Sequence, residues 1–258
     1  GFDICYLIPE DEIIIDKIKS FGKYYVTNNN EINELTLIKK IQPEIFILDI
    51  LKKYFKFSKN YFKIIKKVST LFVTIDYVSK EIQYADLAIH SLFNPKKFKT
   101  SRTIFDLKYA IVRKKILLSR KNFLFKKHIN SILILQGGAD TLCISPKIIK
   151  SIKNLSEDFR ITVIIGPNFK NIEEINDLIR DTKIKILKDV KNIGDVMANH
   201  DVAITAAGNT VIELLTIGVP SVIICADRHE IEFAQFLEKK KLVINLGFGK
   251  KITQKNIR

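Results

Sequence analysis

Two stretches of the chain run an apolar strand into small residues and then open a helix. In SILILQGGAD a buried strand runs into Gly137, Gly138, Ala139 and Asp140, with Ser145 and Pro146 as a helix start. Two glycines there let a backbone approach a bulky anion and turn its amides toward it; the same residues also make an unliganded strand-to-helix turn. In HDVAITAAGNTVIELLTIGVPSVII a strand ends in Ala206 to Gly208, Asn209 or Thr210 opens a helix, and Glu213 lies one turn in. A phosphate on that N-terminus gains from unpaired amides and the helix macrodipole. Glu213 can accept hydrogen bonds from a ribose, or serve the helix dipole alone. Gly166-Pro167-Asn168 after ITVII and Lys188-Asp189-Val190 after IKIL add two loops to the same edge, although Gly, Pro and Asn are also ordinary turn residues.

In the first half, Asp49 closes the strand IFILD and Asp76 closes LFVTID. Carboxylates at strand ends can hold sugar hydroxyls or act as acid and base; they can equally cap the next turn. None of His90, His128, His200 and His229 has a Ser or Cys partner at a motif spacing, and no pair has metal-ligand spacing. A Ser or Cys triad and a zinc hydrolase are disfavoured, and no metal is assigned.

The elements that must position these residues repeat as short β-branched runs, each followed by an amphipathic stretch. The runs are Phe2 to Ile8, Tyr24 to Thr27, Ile45 to Leu48, Leu71 to Ile75, Ile132 to Leu135, Ile161 to Ile165, Ile184 to Leu187, Val202 to Ile204, Ser221 to Ile224 and Leu242 to Ile244. Such alternation predicts an α/β protein with parallel sheets and helices on both faces. Between Asn94 and Asn130 the rhythm breaks into a Lys-rich segment with no clean strand followed by a helix, which puts a domain boundary near residue 128 and divides the chain into 1–128 and 129–258.

At 258 residues and 47% hydrophobic the chain can bury a core in two domains. The formal charge of +15 is spread along the chain and interleaved with Asp and Glu, a solvated-surface pattern that argues against a specific nucleic-acid partner. Lys114, Lys115, Lys126 and Lys127 make local patches that fit either a solvated helix face or peripheral contact with a membrane. Cys5, Cys143 and Cys225 are too scattered for a disulfide framework, and no apolar run reaches the ~18 residues of a membrane span. A cytoplasmic location is expected. Gly1 stands directly ahead of a strand and Arg258 stops at the start of a new helix, so both ends look cut.

These motifs resemble the C-terminal domain of the GT-B nucleotide-sugar enzymes, and within them the UDP-sugar hydrolase of pseudaminic acid synthesis and the spore-coat polysaccharide glycosyltransferase-like proteins. The likeness is carried by LILQGGAD with ISPKIIKSI, by VIIGPNF, by DVMANHDVAITAAGNTVIELLTIGVPSVII and by INLG, and more weakly by Asp49, Asp76, ADLAIHSLFNP and KYAIVRKK with Tyr109 and Arg113. It implies two Rossmann-like domains whose sheets face an interdomain cleft. It also implies a diphosphate site built from Gly137, Gly138, Asp140, Gly166, Val190, Gly208, Asn209 and Thr210, with Glu213 on the ribose, and sugar contacts from Tyr109, His229 and Glu230. His229-Glu230 stands where relatives usually carry Asn-Gln, and Asp76-Tyr77 where they carry Asp-Asp. The family's opening strand and its Gly-x-Gly-His-x-x-Arg loop, with the catalytic histidine, would precede Gly1, which leaves Asp49 and Asp76 as the catalytic candidates within the chain.

The activity implied is metal- and cofactor-independent hydrolysis of a UDP-amino sugar, a UDP-diacetamido-trideoxyhexose, in nonulosonic acid or surface polysaccharide synthesis. A glycosyltransferase with a sugar or lipid acceptor is the first alternative, and a non-catalytic UDP-sugar binding module the second. Sugar identity and oligomeric state are not encoded in any motif.

Overall fold

A computed structural model gives the structure of the chain and describes every residue except 29, 51–56, 93–97, 99, 101, 167, 171 and 258, together with the side chain of residue 13. The chain divides into two compact units, Gly1–Tyr109 and Ala110–Arg258.

The first unit contains β1 (Cys5–Ile8), α1 (Glu12–Ile18), β2 (Lys23–Val26), α2 (Glu31–Ile41), β3 (Ile45–Asp49), α3 (Lys59–Val68), β4 (Leu71–Ile75), β5 (Leu87–His90) and β6 (Thr103–Phe105). Its strands form a parallel β1-β2 pair and a parallel four-stranded sheet in the order β3-β4-β5-β6. Phe62, Phe72, Ile65 and Tyr61 pack the core between α3 and the sheet. Buried Glu34 ties three elements together: it accepts from Thr27 Oγ1 after β2 at 2.9 Å and from the Tyr61 hydroxyl of α3 at 2.5 Å.

The second unit contains α4 (Lys114–Ser119), β7 (Ser131–Leu135), α5 (Ile144–Ile152), β8 (Arg160–Ile165), α6 (Ile172–Ile179), β9 (Lys185–Lys188), α7 (Ile193–Ala198), β10 (Val202–Thr205), α8 (Asn209–Ile217), β11 (Ser221–Cys225), α9 (Glu230–Lys239), β12 (Ile244–Phe248) and α10 (Gln254–Ile257). Six parallel strands run in the order β12-β11-β10-β7-β8-β9. β7 is buried at all five positions, as a central strand covered on both faces must be. Ile132 and Ile134 enter the cluster with α5 and α6, while Leu133 and Leu135 enter the cluster with α4, α7 and α8. From β7 the chain builds outward through β8 and β9, then returns to the other side of β7 for β10. The loops after β7 and β10 therefore diverge at the carboxyl edge, and such a switch point opens a crevice for a ligand.

All the strand pairings are parallel, in line with the α/β reading. Two described strands escape the sequence pattern, β5 and β6, the second inside the Lys-rich stretch. The division at Tyr109/Ala110 also falls earlier than residue 128. Ile116 of α4 is buried among Leu133, Met197 and Leu214, so the stretch that follows Tyr109 packs as part of the second unit.

Candidate functional site

Four loops of the second unit meet at the carboxyl edge of its sheet. After β7, Gly137 has φ +69° and both Gly137 and Gly138 face open space where a side chain would be. The loop is wound by Asp140, itself at φ +41°. Its buried carboxylate accepts from the amides of Ile144 at 2.8 Å and Ser145 at 2.7 Å. Asp140, expected among the diphosphate contacts, is thus engaged in closing the N-terminus of α5.

Gly166, after β8, is a close-approach glycine: a Cβ there would lie 2.5 to 2.7 Å from the backbone of Gly138. The Asn168 amide donates to the Gly138 carbonyl at 3.0 Å. These contacts seat the GG loop against its neighbour, while Pro167 lies outside the described residues. After β9, Asp189 turns with φ +49° and Val190 packs its side chain against the apolar cluster of α4 and α7.

The loop after β10 differs from the α5 start. Ala206 and Ala207 are buried, Gly208 is the N-cap of α8, and no side chain caps that helix. The Val211 amide turns back to the Gly208 carbonyl at 3.2 Å, and among the described residues the Asn209 and Thr210 amides have no partner. They are the unpaired donors that a nine-residue helix presents to an anion. Glu213 follows one turn in. Its side chain is only 13% exposed, and Arg113 Nε and Nη2 reach its Oε1 at 2.9 and 2.8 Å. Among the described residues Oε2 has no protein partner, which leaves a carboxylate oxygen held in place beside α8.

Glu230 opens α9 and closes the crevice from the β11 side. Its Oε2 accepts from the Ala226 amide at 2.7 Å and the Ala207 amide at 3.4 Å, and its Oε1 lies 3.7 Å from where a Cβ of Gly208 would be. His229 Nδ1 pairs with Asp227 at 2.9 Å. The structure thus gathers Gly138, Gly166, Gly208, Asn209, Thr210, Glu213 and Glu230 around one crest of one sheet.

Beneath that crest are buried polar groups that sequence reasoning did not assign. Gln136, at the end of β7, has neither side-chain polar atom bonded, and the hydroxyls of Ser145 and Thr205 are also unpartnered. All three residues are nearly inaccessible. Buried polar atoms without partners cost ~1–3 kcal/mol each. A Gln directly after the apolar run SILIL was the available signal. A separate surface hollow lined by Lys153, Glu157 and Asp181 lies at the opposite end of the strands and shares nothing with the crest.

In the first unit Asp49 ends β3 in an exposed position, while Asp76 follows β4 at φ +49° and is buried. Asp76 Oδ1 accepts from the amides of Ser91 and Leu92 at 2.8 and 3.1 Å, and Oδ2 from the Ser91 hydroxyl at 3.0 Å. Its carboxylate therefore holds the turn after β5. Desolvation by surrounding atoms, with a smaller contribution from Asp76, raises the pKa of Asp49. Tyr109 ends the unit 40% exposed, with Lys108 Nζ 5.0 Å from its ring centroid. His90 is fully buried with both ring nitrogens unpartnered, and burial lowers its pKa. Residues 93–95, part of the ADLAIHSLFNP likeness, lie outside the described residues.

Among the described residues no group of three or more His, Cys, Asp or Glu side chains is placed to hold a metal. Likewise, no helix among them is long and apolar enough to cross a membrane.

Residues 131–250 match the model of the Glycosyltransferase family 28 C-terminal domain. Over 255 residues the chain is 30% identical to an uncharacterized protein of Methanocaldococcus jannaschii, covering 92% of this chain and 52% of that protein. It is 21% identical over 186 residues to the spore coat polysaccharide biosynthesis protein SpsG of Bacillus subtilis, covering 69% of this chain and 55% of that one. The chain thus spans about half the length of these curated relatives. Among solved structures it resembles MurG of Acinetobacter baumannii, with a TM-score of 0.68 at 13% identity, covering 99% of this chain and 80% of that one. It also resembles a UDP-GlcNAc 2-epimerase of Neisseria meningitidis bound to UDP-GlcNAc, with a TM-score of 0.60 at 12% identity, covering 99% and 80%. The chain has the α/β fold of parallel sheets in two Rossmann-like domains seen in these GT-B glycosyltransferase and epimerase structures.

Proposed function

We propose that the second unit binds the UDP moiety of a nucleotide-sugar, and that the protein to which this chain belongs cleaves the bond between the sugar's anomeric carbon and the diphosphate oxygen. The observation that carries this is the uncapped start of α8 with Glu213 one turn in. The Asn209 and Thr210 amides receive the diphosphate, Gly208 leaves room for it, and the GG loop approaches from the other side of the switch point. Glu213 Oε2 accepts from the ribose while Arg113 fixes Oε1.

On cleavage the bonding electrons pass to the diphosphate oxygen, and negative charge grows on the leaving UDP. Preorganised amides and a helix N-terminus stabilise that charge without rearranging. Water as nucleophile gives hydrolysis of a UDP-amino sugar, with Asp49 as the proton-accepting candidate and Asp76, whose carboxylate holds the turn after β5, as the second carboxylate at that edge. Tyr109, His229 and Glu230 are the sugar-hydroxyl contacts in this reading, and Glu230 Oε1, beside Gly208, is the acceptor nearest the diphosphate loop.

Transfer to a sugar or lipid acceptor is supported by the match of residues 131–250 to the Glycosyltransferase family 28 C-terminal domain and by the likeness to a spore coat polysaccharide biosynthesis protein. Incubating the chain with a UDP-diacetamido-trideoxyhexose and measuring free UDP separates the two. UDP release without acceptor supports hydrolysis; release that requires added acceptor supports transfer; and absence of release from a chain that binds UDP would reduce the reading to a binding module.

A further inference from the structure

The segment from Ile111 to Asn130 carries seven Lys and Arg residues and no Asp or Glu. It is pinned to the second unit along one side. Ile116 is buried, the Ser119 hydroxyl and Asn122 amide donate to Asp195 at 2.8 and 3.2 Å, and Lys126 pairs with Asp201 at 2.9 Å. Its other side shows Leu117, Leu118, Leu124 and Phe125 at 51, 54, 74 and 78% exposure. Among the described residues Lys114, Lys115, Arg120, Lys121 and Lys127 have no carboxylate partner.

We infer that this strap is a docking surface for an anionic phospholipid membrane. Large apolar side chains held outward among unpaired cations match a bilayer interface, where the chains enter the acyl boundary and the cations meet lipid phosphates. The pinned backbone means that little order must be created on binding. Two copies of the strap facing one another would oppose cation to cation, and three of these four apolar side chains are leucines with no ring for a base to stack on, so neither a second copy nor a nucleic acid suits it as well. The inference is independent of the nucleotide-sugar reading.

The test is sedimentation of the 258-residue chain with vesicles of phosphatidylcholine alone and with about 30% phosphatidylglycerol, alongside Leu124→Ser/Phe125→Ser and Lys114→Gln/Lys115→Gln/Lys121→Gln, each checked for folding by circular dichroism. Binding to the anionic vesicles only, weakened at least about tenfold by each variant and by raising salt from ~0.1 to ~0.5 M, is expected. The inference is overturned by lack of binding to anionic vesicles, by binding that the Leu124/Phe125 variant leaves unchanged, by tighter binding to an RNA oligonucleotide than to vesicles, or by a dimer in light scattering that the same variant dissolves.

Discussion

Arg113 places two guanidinium nitrogens on a single oxygen of Glu213, Nε at 2.9 Å and Nη2 at 2.8 Å, across exactly 100 residues of sequence. This forked contact sets the carboxylate's orientation and leaves Oε2 directed elsewhere. Since Arg113 is 64% exposed, the pair adds little to folding. Arg113→Ala is accordingly expected to change the urea midpoint hardly at all while weakening UDP binding by up to about a hundredfold, the range of one charge-assisted contact. Calorimetry on the variant, paired with urea unfolding, checks both halves.

The close approach of Gly166 to Gly138 makes a second prediction. With a Cβ meeting backbone at 2.5 Å, Gly166→Ala must push the GG loop away or strain β8. A loss of ~1–3 kcal/mol in stability follows, accompanied by weaker UDP binding, because the displaced loop carries Gly138. Equal stability and equal affinity would mean that the two loops are not in contact.

Asp140 illustrates how a residue type can be read correctly as important and assigned a different task by the fold. Asp140→Ala removes two charge-assisted bonds to the start of α5, for which a cost of ~1–2 kcal/mol is expected. Asp140→Asn keeps an acceptor and should recover part of it. Thermal unfolding of the two variants gives the comparison.

Burial lowers the pKa of His90 below its ordinary value, so the unfolded chain takes up that proton first. Stability from this group is complete above the unfolded value of about 6.5 and falls as pH drops from there toward the folded value. His200 behaves alike, burial being the main cause; its Nδ1 donates to the Val196 carbonyl at 2.7 Å, so Nε2 accepts from Thr162 at 2.9 Å. His90→Leu, which replaces two unpartnered nitrogens with carbon, is expected to hold or raise stability at pH 7.5. It should also shrink the loss between pH 7 and 5, read from urea midpoints at each pH.

Much of the second unit was legible because its central strands, β7 and β8 above all, are buried on both faces and so appear as unbroken apolar runs, SILIL being the plainest. The small-residue turns after β7 and β10 could be placed for the same reason. β5 and β6 were harder: LAIH and TIF are short, and each is set off by polar neighbours instead of by glycine. The division between units was obscured by charge, since the Lys-rich stretch after Tyr109 looks like a linker until Ile116 and Ser119 are seen buried. Local pattern also has no way to show that Arg113 reaches Glu213, that Asp140 turns back on α5, or that Gln136 and Thr205 are buried without partners. These are long-range or tertiary facts.

The most direct test of the central claim is calorimetric titration of the folded chain with UDP, with CDP and GDP for comparison and Glu213→Ala as the paired variant. Selective UDP binding that drops at least about tenfold in the variant is the predicted result, in keeping with loss of a charge-assisted ribose contact. UDP binding that Glu213→Ala leaves unchanged, or no preference among the three nucleotides, would contradict the placement of the nucleotide at the start of α8.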